Sequence, residues 1–199
     1  MGDFRATSDP ITQLSNLDNG LQHQLGWKDN LAFFSSSKGN GVTEPVWSAM
    51  GNGNYGMLFT AGDQLFVTHH VGHDYALGTK AYPHIHFCVT QTQTVGATVV
   101  WRYSYVVAKG HQQGDSLTAA RTTIDLTYTF SGSEVAGEHI IVEASEVQAF
   151  EILEPDTLVD AGVELLSETV VGNVFGKLSD LHYQANREDT PNKTPSFYV

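Results

Sequence analysis

Residues 122–130, TTIDLTYTF, carry the clearest structural signal in the chain. Every second side chain from Ile124 to Phe130 is apolar, and the positions between them are threonine or aspartate. Side chains alternate between the two faces of a β-strand, so this period of two predicts a strand with one buried face and one polar face. The fold is therefore expected to be built from β-sheets.

Seven further segments have strand composition and are separated by turn residues. They are residues 57–60, 64–70, 84–91, 97–108, 139–145, 157–166 and 175–185. Helical periodicity is weak, and strands do not alternate with helices, which disfavours a parallel sheet. The sequence predicts an all-β fold, an antiparallel β-sandwich of the jelly-roll type.

Both ends of the chain are predicted to be extended. Residues 1–56 are rich in Gly, Asn, Ser, Asp and Gln with little periodicity, which predicts an N-terminal arm or loops. This arm could lie on a neighbouring subunit or wrap its own domain. Residues 57–186 would form the β-sandwich domain, and residues 187–199, with two prolines, a C-terminal extended tail.

Composition excludes several functional classes. The formal net charge is −12, and the ten Lys and Arg residues are scattered, so we expect no binding to nucleic acid or to an anionic membrane. The single cysteine, Cys88, allows no intrachain disulfide. No basic and apolar leader resembling a signal peptide is present at the start, which predicts synthesis in a cytoplasm.

Residues 66–87 hold five of the nine histidines, a density that suggests a metal site. His84 and His86 are two apart on a predicted strand, so both imidazoles would point to one face and could share an ion. His70 or His73 could supply a third ligand, and Asp74 a carboxylate. We expect a metal bound by His70, His73, His84 and His86 to be structural.

The spacing from Gly78 to His84 and His86 also resembles the first cupin motif, which would imply a metal-dependent enzyme. That motif continues with a glutamate, whereas Thr90 and Gln91 occupy the corresponding positions here. The second cupin motif has no counterpart. We recognise no nucleophile elbow and no phosphate-binding loop. The prediction is a protein with no catalytic residues and no cofactor, with a cupin-like enzyme as an alternative.

Several aromatic residues are candidates for an interface. Trp101 and Tyr103 lie at period two on a predicted central strand, where aromatic side chains are usually core or interface and could also stack on a sugar. The chain ends in an apolar group that includes Phe197 and Tyr198. We expect Trp47, Trp101, Tyr103, Phe197 and Tyr198 to contact partners.

Five segments in a fixed order resemble a family of small tailed-phage virion structural proteins. The family has a His-Asp-Tyr turn, a His-x-His-aromatic strand, a V-W-x-x-x-Y strand, a late D-x-H-Y-Q strand and an aromatic C-terminus. Phe87 stands where tryptophan is more frequent. The matching segments are residues 56–87, 98–110, 153–166, 179–184 and 190–199.

The resemblance implies a virion structural role without enzymatic activity. The leading expectation is a head decoration or cement protein that binds the major capsid protein of an assembled shell. The protein would be made in the host cytoplasm and located in the virion, and would self-associate as a homotrimer or another symmetric oligomer. A neck or tail component, or an adhesin, is the alternative within this class.

Overall fold

The structure, a computed structural model, describes residues 25–186 and 192–196. Within these residues the chain forms twelve β-strands and one 3-10 helix, Phe34–Ser36. The strands are β1 (Gly26–Phe33), β2 (Lys38–Gly39), β3 (Val46–Gly51), β4 (Asn54–Phe59), β5 (Gln64–His70), β6 (Lys80–Val89), β7 (Thr98–Ala108), β8 (Thr122–Thr129), β9 (Ile140–Glu143), β10 (Phe150–Glu151), β11 (Leu158–Glu168) and β12 (Val174–Ala185). This described part contains no helix with the length and apolar character needed to cross a membrane.

The strands form two antiparallel sheets. The seven-stranded sheet has the order β10-β6-β12-β4-β3, with β1 also paired to β12 and β9 also paired to β6. The five-stranded sheet has the order β2-β5-β11-β7-β8. The eight strands β4–β9, β11 and β12 therefore give β9-β6-β12-β4 in one sheet and β8-β7-β11-β5 in the other, the connectivity of a jelly roll. The predicted all-β jelly-roll sandwich is confirmed.

The segment TTIDLTYTF behaves as its alternation predicts. It forms β8 and pairs with β7 so that Leu126 lies opposite Trp101. Leu126 and Phe130 are buried, whereas Asp125 and Thr127 are exposed. Because β8 belongs to one of two antiparallel sheets that pack face to face, one of its faces packs on the core and the other meets solvent.

The core lies between the two sheets and is rich in aromatic side chains. The Phe59 ring meets the Trp101 ring edge to face at 4.9 Å between centroids, and Phe87 lies 5.8 Å from Trp101 on the other side. These residues and Tyr103 are buried in the domain. The prediction that Trp101 and Tyr103 lie at an interface is therefore wrong. Both side chains point inward from the central strand β7.

The predicted N-terminal arm is wrong for residues 25–56, which belong to the sandwich. All eight residues of β1 pair with β12, from Gly26 opposite Ala185 to Phe33 opposite Leu178. Strand β3 pairs with β4 in the same sheet. Residues 1–24 lie outside the described part of the chain. So do residues 187–191 and 197–199 of the predicted tail, which include Phe197 and Tyr198.

Truncating the central tryptophan should destabilise the domain strongly. We expect Trp101→Ala to lower the free energy of unfolding by about 3–5 kcal/mol, because it removes a fully buried aromatic ring and leaves a cavity. Trp47→Ala is the matched control, since Trp47 is exposed and stacks only on Tyr55, and should cost below about 1.5 kcal/mol. Urea unfolding of both variants gives the comparison, and equal losses would contradict the core assignment.

Candidate metal centre

Strands β6 and β12 bring polar side chains together at the middle of the seven-stranded sheet. Asp180 on β12 lies directly opposite His84 on β6. His86 and His182 are two residues further along their strands, so all four side chains share one face. Ile85 between the β6 histidines is buried in the core, which places these four residues on the outer face of the sheet. We call His84, His86, Asp180 and His182 the outer-face cluster.

A β-bulge in β12 produces this alignment. Gly176 lies opposite Phe87, but the next pair is Leu178 opposite His86, so Lys177 is an extra residue in the strand. An extra residue exchanges the faces of all side chains beyond it. With uninterrupted pairing Asp180 would lie opposite Pro83 and point into the core. The bulge instead turns its carboxylate outward, beside the two histidines.

The innermost part of the cluster is tightly buried. His84 and Asp180 are each 2% exposed. The Nε2 atom of His84 contacts Oδ1 of Asp180, and Nε2 of His86 lies 3.2 Å from Oδ2. Even so, these two Nε2 atoms and Oδ1 of Asp180 have no hydrogen-bond partner among the described residues. Three potential ligand atoms therefore lie close together without a hydrogen bond to any described residue.

The other nitrogens of these imidazoles face neighbouring groups. Nδ1 of His86 lies 2.7 Å from Nε2 of His139, close enough for a hydrogen bond between the rings. Nδ1 of His84 faces Oε1 of Glu143 at 3.7 Å. The contact with His139 thus orients the His86 ring from behind, and both rings turn Nε2 toward Asp180. Contacts of this kind fix the tautomer and the direction of metal-binding histidines.

His182 has partners on both of its ring nitrogens. Nδ1 lies 2.8 Å from Oε1 of Glu143, and Nε2 contacts Oδ1 of Asp29 on β1. Its ring lies 4.0 Å from the His84 ring between centroids. His182 therefore connects β1 and β9 to the buried part of the cluster, and its own hydrogen-bonding groups are already used.

Burial keeps the two β6 imidazoles neutral. It lowers the pKa of His84 to about 3, with further lowering from the neighbouring His182 and His86. Burial also lowers the pKa of His86 to about 4, and His139 adds to the effect. A metal ion binds the neutral imidazole, so both rings are in the required protonation state at neutral pH.

Among the described residues, two groups have ligand atoms all within 4.8 Å of one another: His84, His86 and Asp180, and Asp29, His84 and His182. Two imidazole nitrogens with one carboxylate suit zinc or another first-row transition metal better than the hard cations, which prefer oxygen ligands.

The sequence predicted His84 and His86 correctly as a pair on one face, but Asp180 and His182 were missed. Their Asp-x-His spacing repeats the period of His-x-His on another strand, which is the signal that could have identified them. Pairing the two motifs requires knowing that β6 and β12 are neighbours and that β12 contains a bulge.

The prediction that His70 and His73 share a site with His84 and His86 is wrong. His70 ends β5 in the other sheet, and Nε2 of His70 and of His73 lie 3.2 and 3.3 Å from Oδ1 of Asp156. Nε2 of His111 lies 2.7 Å from Oδ2 of the same carboxylate. We call His70, His73, His111 and Asp156 the loop cluster. His111 and Asp156 have positive φ angles of 55° and 56°, so both loops are bent sharply where they meet.

Asp74 is not a metal ligand in this arrangement. Its carboxylate accepts a hydrogen bond from Nζ of Lys28 at 2.6 Å and one from the Tyr183 hydroxyl at 3.1 Å. These contacts join β1, β12 and the loop after β5.

No family model matches the chain, and no curated protein matches it. Among solved structures, the CBM22-1–GH10 modules of xylanase 10B from Clostridium thermocellum, complexed with xylohexaose, align with 86% of this chain at 14% identity and a TM-score of 0.34. The Gap123 glycosylation-associated complex of Streptococcus agalactiae aligns with 94% at 12% identity and a TM-score of 0.26. The chain spans 29% and 31% of those two chains. Similarities this weak define neither an activity nor a ligand.

His69 should make stability depend on pH. It is fully buried, its Nδ1 lies 2.8 Å from the Asn30 carbonyl oxygen, and burial lowers its pKa from 6.5 to about 4. Between those values the unfolded chain binds the extra proton, so stability is fully present above pH 6.5 and is lost as the pH falls toward 4.

The test replaces His69 with asparagine, which does not titrate in this range and keeps an N–H directed at Asn30. The free energy of unfolding of His69→Asn should fall less steeply between pH 6.5 and 4, by up to about 1.4 kcal/mol per pH unit. Urea unfolding at several pH values measures the slope. An unchanged slope would show that His69 is protonated in the folded state.

Proposed function

We propose that this chain is a structural protein of a tailed-phage virion, most simply a decoration or cement protein attached to the assembled head. Two arguments support the proposal. Four of the five sequence segments that resemble this family, residues 56–87, 98–110, 153–166 and 179–184, fall on strands and loops of one jelly roll, a fold that recurs in viral capsids. The observation that carries the proposal is an apolar surface on the outside of the folded sandwich.

This surface is formed mainly by β1, in which the usual placement of residues is reversed: large apolar side chains face solvent and polar residues occupy inward positions. The odd-numbered residues of β1 point away from the core, and among them Trp27, Leu31 and Phe33 are 61%, 49% and 52% exposed. The even-numbered positions point inward, yet they include Lys28 and Asn30. Such an arrangement loses free energy in an isolated domain, because large apolar side chains remain in water.

Ile141 on β9 extends the apolar surface across the sheet. It pairs with His86, which pairs with Leu178, which pairs with Phe33, so these residues lie in one row of the outer face. We call Trp27, Leu31, Phe33 and Ile141 the apolar outer face. Asp29 and the outer-face cluster lie on the same face, so these apolar side chains are bordered by polar ones. Large exposed apolar side chains grouped on one face of a domain and rimmed by polar residues mark a surface that a partner covers.

The proposed partner is the major capsid protein on the outside of the shell. A net charge of −12 opposes contact with packaged DNA and suits a position outside it. In this role the apolar outer face binds the shell. Copies of the chain also associate with one another into a symmetric oligomer. A neck or tail position uses the same surface on a different virion protein.

An adhesin is the second candidate, and one observation favours it. Trp47 and Tyr55 are both exposed and stack on each other, with ring centroids 6.2 Å apart and planes within 13°. Exposed aromatic rings of this kind can receive a sugar ring. Trp101 and Tyr103 cannot do so, because they are buried. Loss of glycan binding in Trp47→Ala, with attachment to particles unchanged, would support the adhesin.

Locating the protein in particles tests the proposal directly. Mass spectrometry of purified virions should detect this chain, and quantitation against the major capsid protein should give many copies per particle. A few copies would indicate a neck or tail component instead. Absence from virions would contradict a structural role of any kind.

Charge on the apolar outer face should prevent attachment. We expect Leu31→Glu with Phe33→Glu to leave the circular dichroism spectrum and melting temperature near those of the wild type, because both side chains are exposed. Burial of each side chain is worth about 1.5–3 kcal/mol, so binding to particles that lack the protein should weaken by more than tenfold for each.

The matched control is Val147→Glu, which adds charge at a position 91% exposed outside the apolar outer face. Co-sedimentation with particles compares the three proteins. Equal binding by all of them would show that the apolar outer face is not the attachment surface.

A further inference from the structure

We propose that His84, His86 and Asp180 bind one divalent transition-metal ion, of which Zn²⁺ is the representative, on the outer face of the seven-stranded sheet. This inference concerns the isolated chain and does not depend on the proposed virion role.

The first argument is that three buried polar atoms of these side chains make no hydrogen bond. His84 and Asp180 are 2% exposed, and Nε2 of His84, Nε2 of His86 and Oδ1 of Asp180 make no hydrogen bond within the described residues. Buried polar atoms without partners are costly and rare in native proteins. One cation between the three atoms would satisfy all of them at once.

The second argument concerns the direction of the imidazoles. When Nδ1 of His86 donates to His139, 2.7 Å away, the lone pair of His86 lies on Nε2. That lone pair faces the Asp180 carboxylate, and the two repel each other unless a cation lies between them. A hydrogen bond to the ring nitrogen that points away from the ion commonly orients the histidines of zinc sites.

The other clusters are less suited to an ion. In the group Asp29, His84 and His182, both nitrogens of His182 already contact carboxylates. In the loop cluster three imidazoles surround the single carboxylate of Asp156 at 2.7–3.3 Å and pair with it directly. No atom of Asp29, of His182 or of the loop cluster is among the buried polar atoms that lack a hydrogen-bond partner, whereas Nε2 of His84, Nε2 of His86 and Oδ1 of Asp180 are.

The ligand set also limits the class of metal and its role. Nitrogen from imidazole together with one carboxylate is typical of zinc and its neighbours, and leaves a fourth position for water. The three ligands come from β6 and β12, so the ion would cross-link the two central strands of the sheet. Through His182 and Asp29 the cross-link would also reach β1, which carries the apolar outer face.

Metal binding by the purified full-length protein tests the proposal. After treatment with a chelator, titration with Zn²⁺ in a calorimeter should give one ion per chain, and elemental analysis of the dialysed complex should give the same ratio. The melting temperature should rise by several degrees, because the ion binds only the folded chain. Co²⁺ in place of Zn²⁺ should give a visible absorption spectrum.

Variants within the chain identify the ligands. Asp180→Asn and His86→Gln should each lose stoichiometric binding and the thermal shift. His86 is the less buried of the two, so His86→Gln provides the test even if Asp180→Asn does not fold. His139→Ala should weaken binding by about 10–100-fold without abolishing it, as expected for a positioning residue.

The control is His70→Ala with His73→Ala, which removes two histidines from the loop cluster and should leave Zn²⁺ affinity unchanged. Loss of binding in this control, with binding retained by His86→Gln, would overturn the assignment. So would a folded wild-type protein that binds no Zn²⁺, or that binds it equally well in all variants.

Discussion

The extra residue at Lys177 is the constraint on which the seven-stranded sheet depends. Before it, β12 pairs with β6 in one register, and after it every pair is displaced by one residue. The displaced register turns Leu181 and Tyr183 into the core and Asp180 and His182 outward. A continuous strand would bury a carboxylate among apolar side chains and expose an aromatic ring, and each error would cost several kcal/mol. Lys177 is itself held by its Nζ atom, which donates to the Tyr55 carbonyl oxygen at 2.8 Å.

The core strands could be predicted from the sequence because the order of apolar and polar residues within each one indicates which side chains are buried. In TTIDLTYTF the alternation appears in the residues themselves, since β8 has one face on the core and one in water. In β7, Trp101 and Tyr103 were recognised as part of a central strand, but their partners were not. Alternation with a period of two identifies which side chains of a strand share a face. It does not identify which part of the molecule packs on that face.

The strands within residues 25–56 were not predicted, and they show the limit of prediction from local sequence pattern. In β1 the large apolar side chains point outward and the inward positions include Lys28 and Asn30, so burial does not follow the pattern that identifies a strand. Its formation depends on backbone hydrogen bonds to β12, whose paired residues lie 145 to 159 positions further along the sequence. The outer-face cluster has the same limitation, because His84 and Asp180 meet only through long-range pairing and a bulge that no local sequence pattern predicts.

One consequence of β1 concerns solubility. Strand β12 spans twelve residues, and β4 covers its outer edge at only three of them, Val174 to Gly176. The other pairing positions on that edge are occupied by β1, so β1 acts as a cover for backbone N–H and C=O groups that would otherwise be open to any passing chain. A form of the protein shortened past Phe33 would present a long unprotected edge in the centre of its main sheet. Such a fragment is a template for intermolecular strand addition, and it would aggregate even though its jelly-roll core is complete.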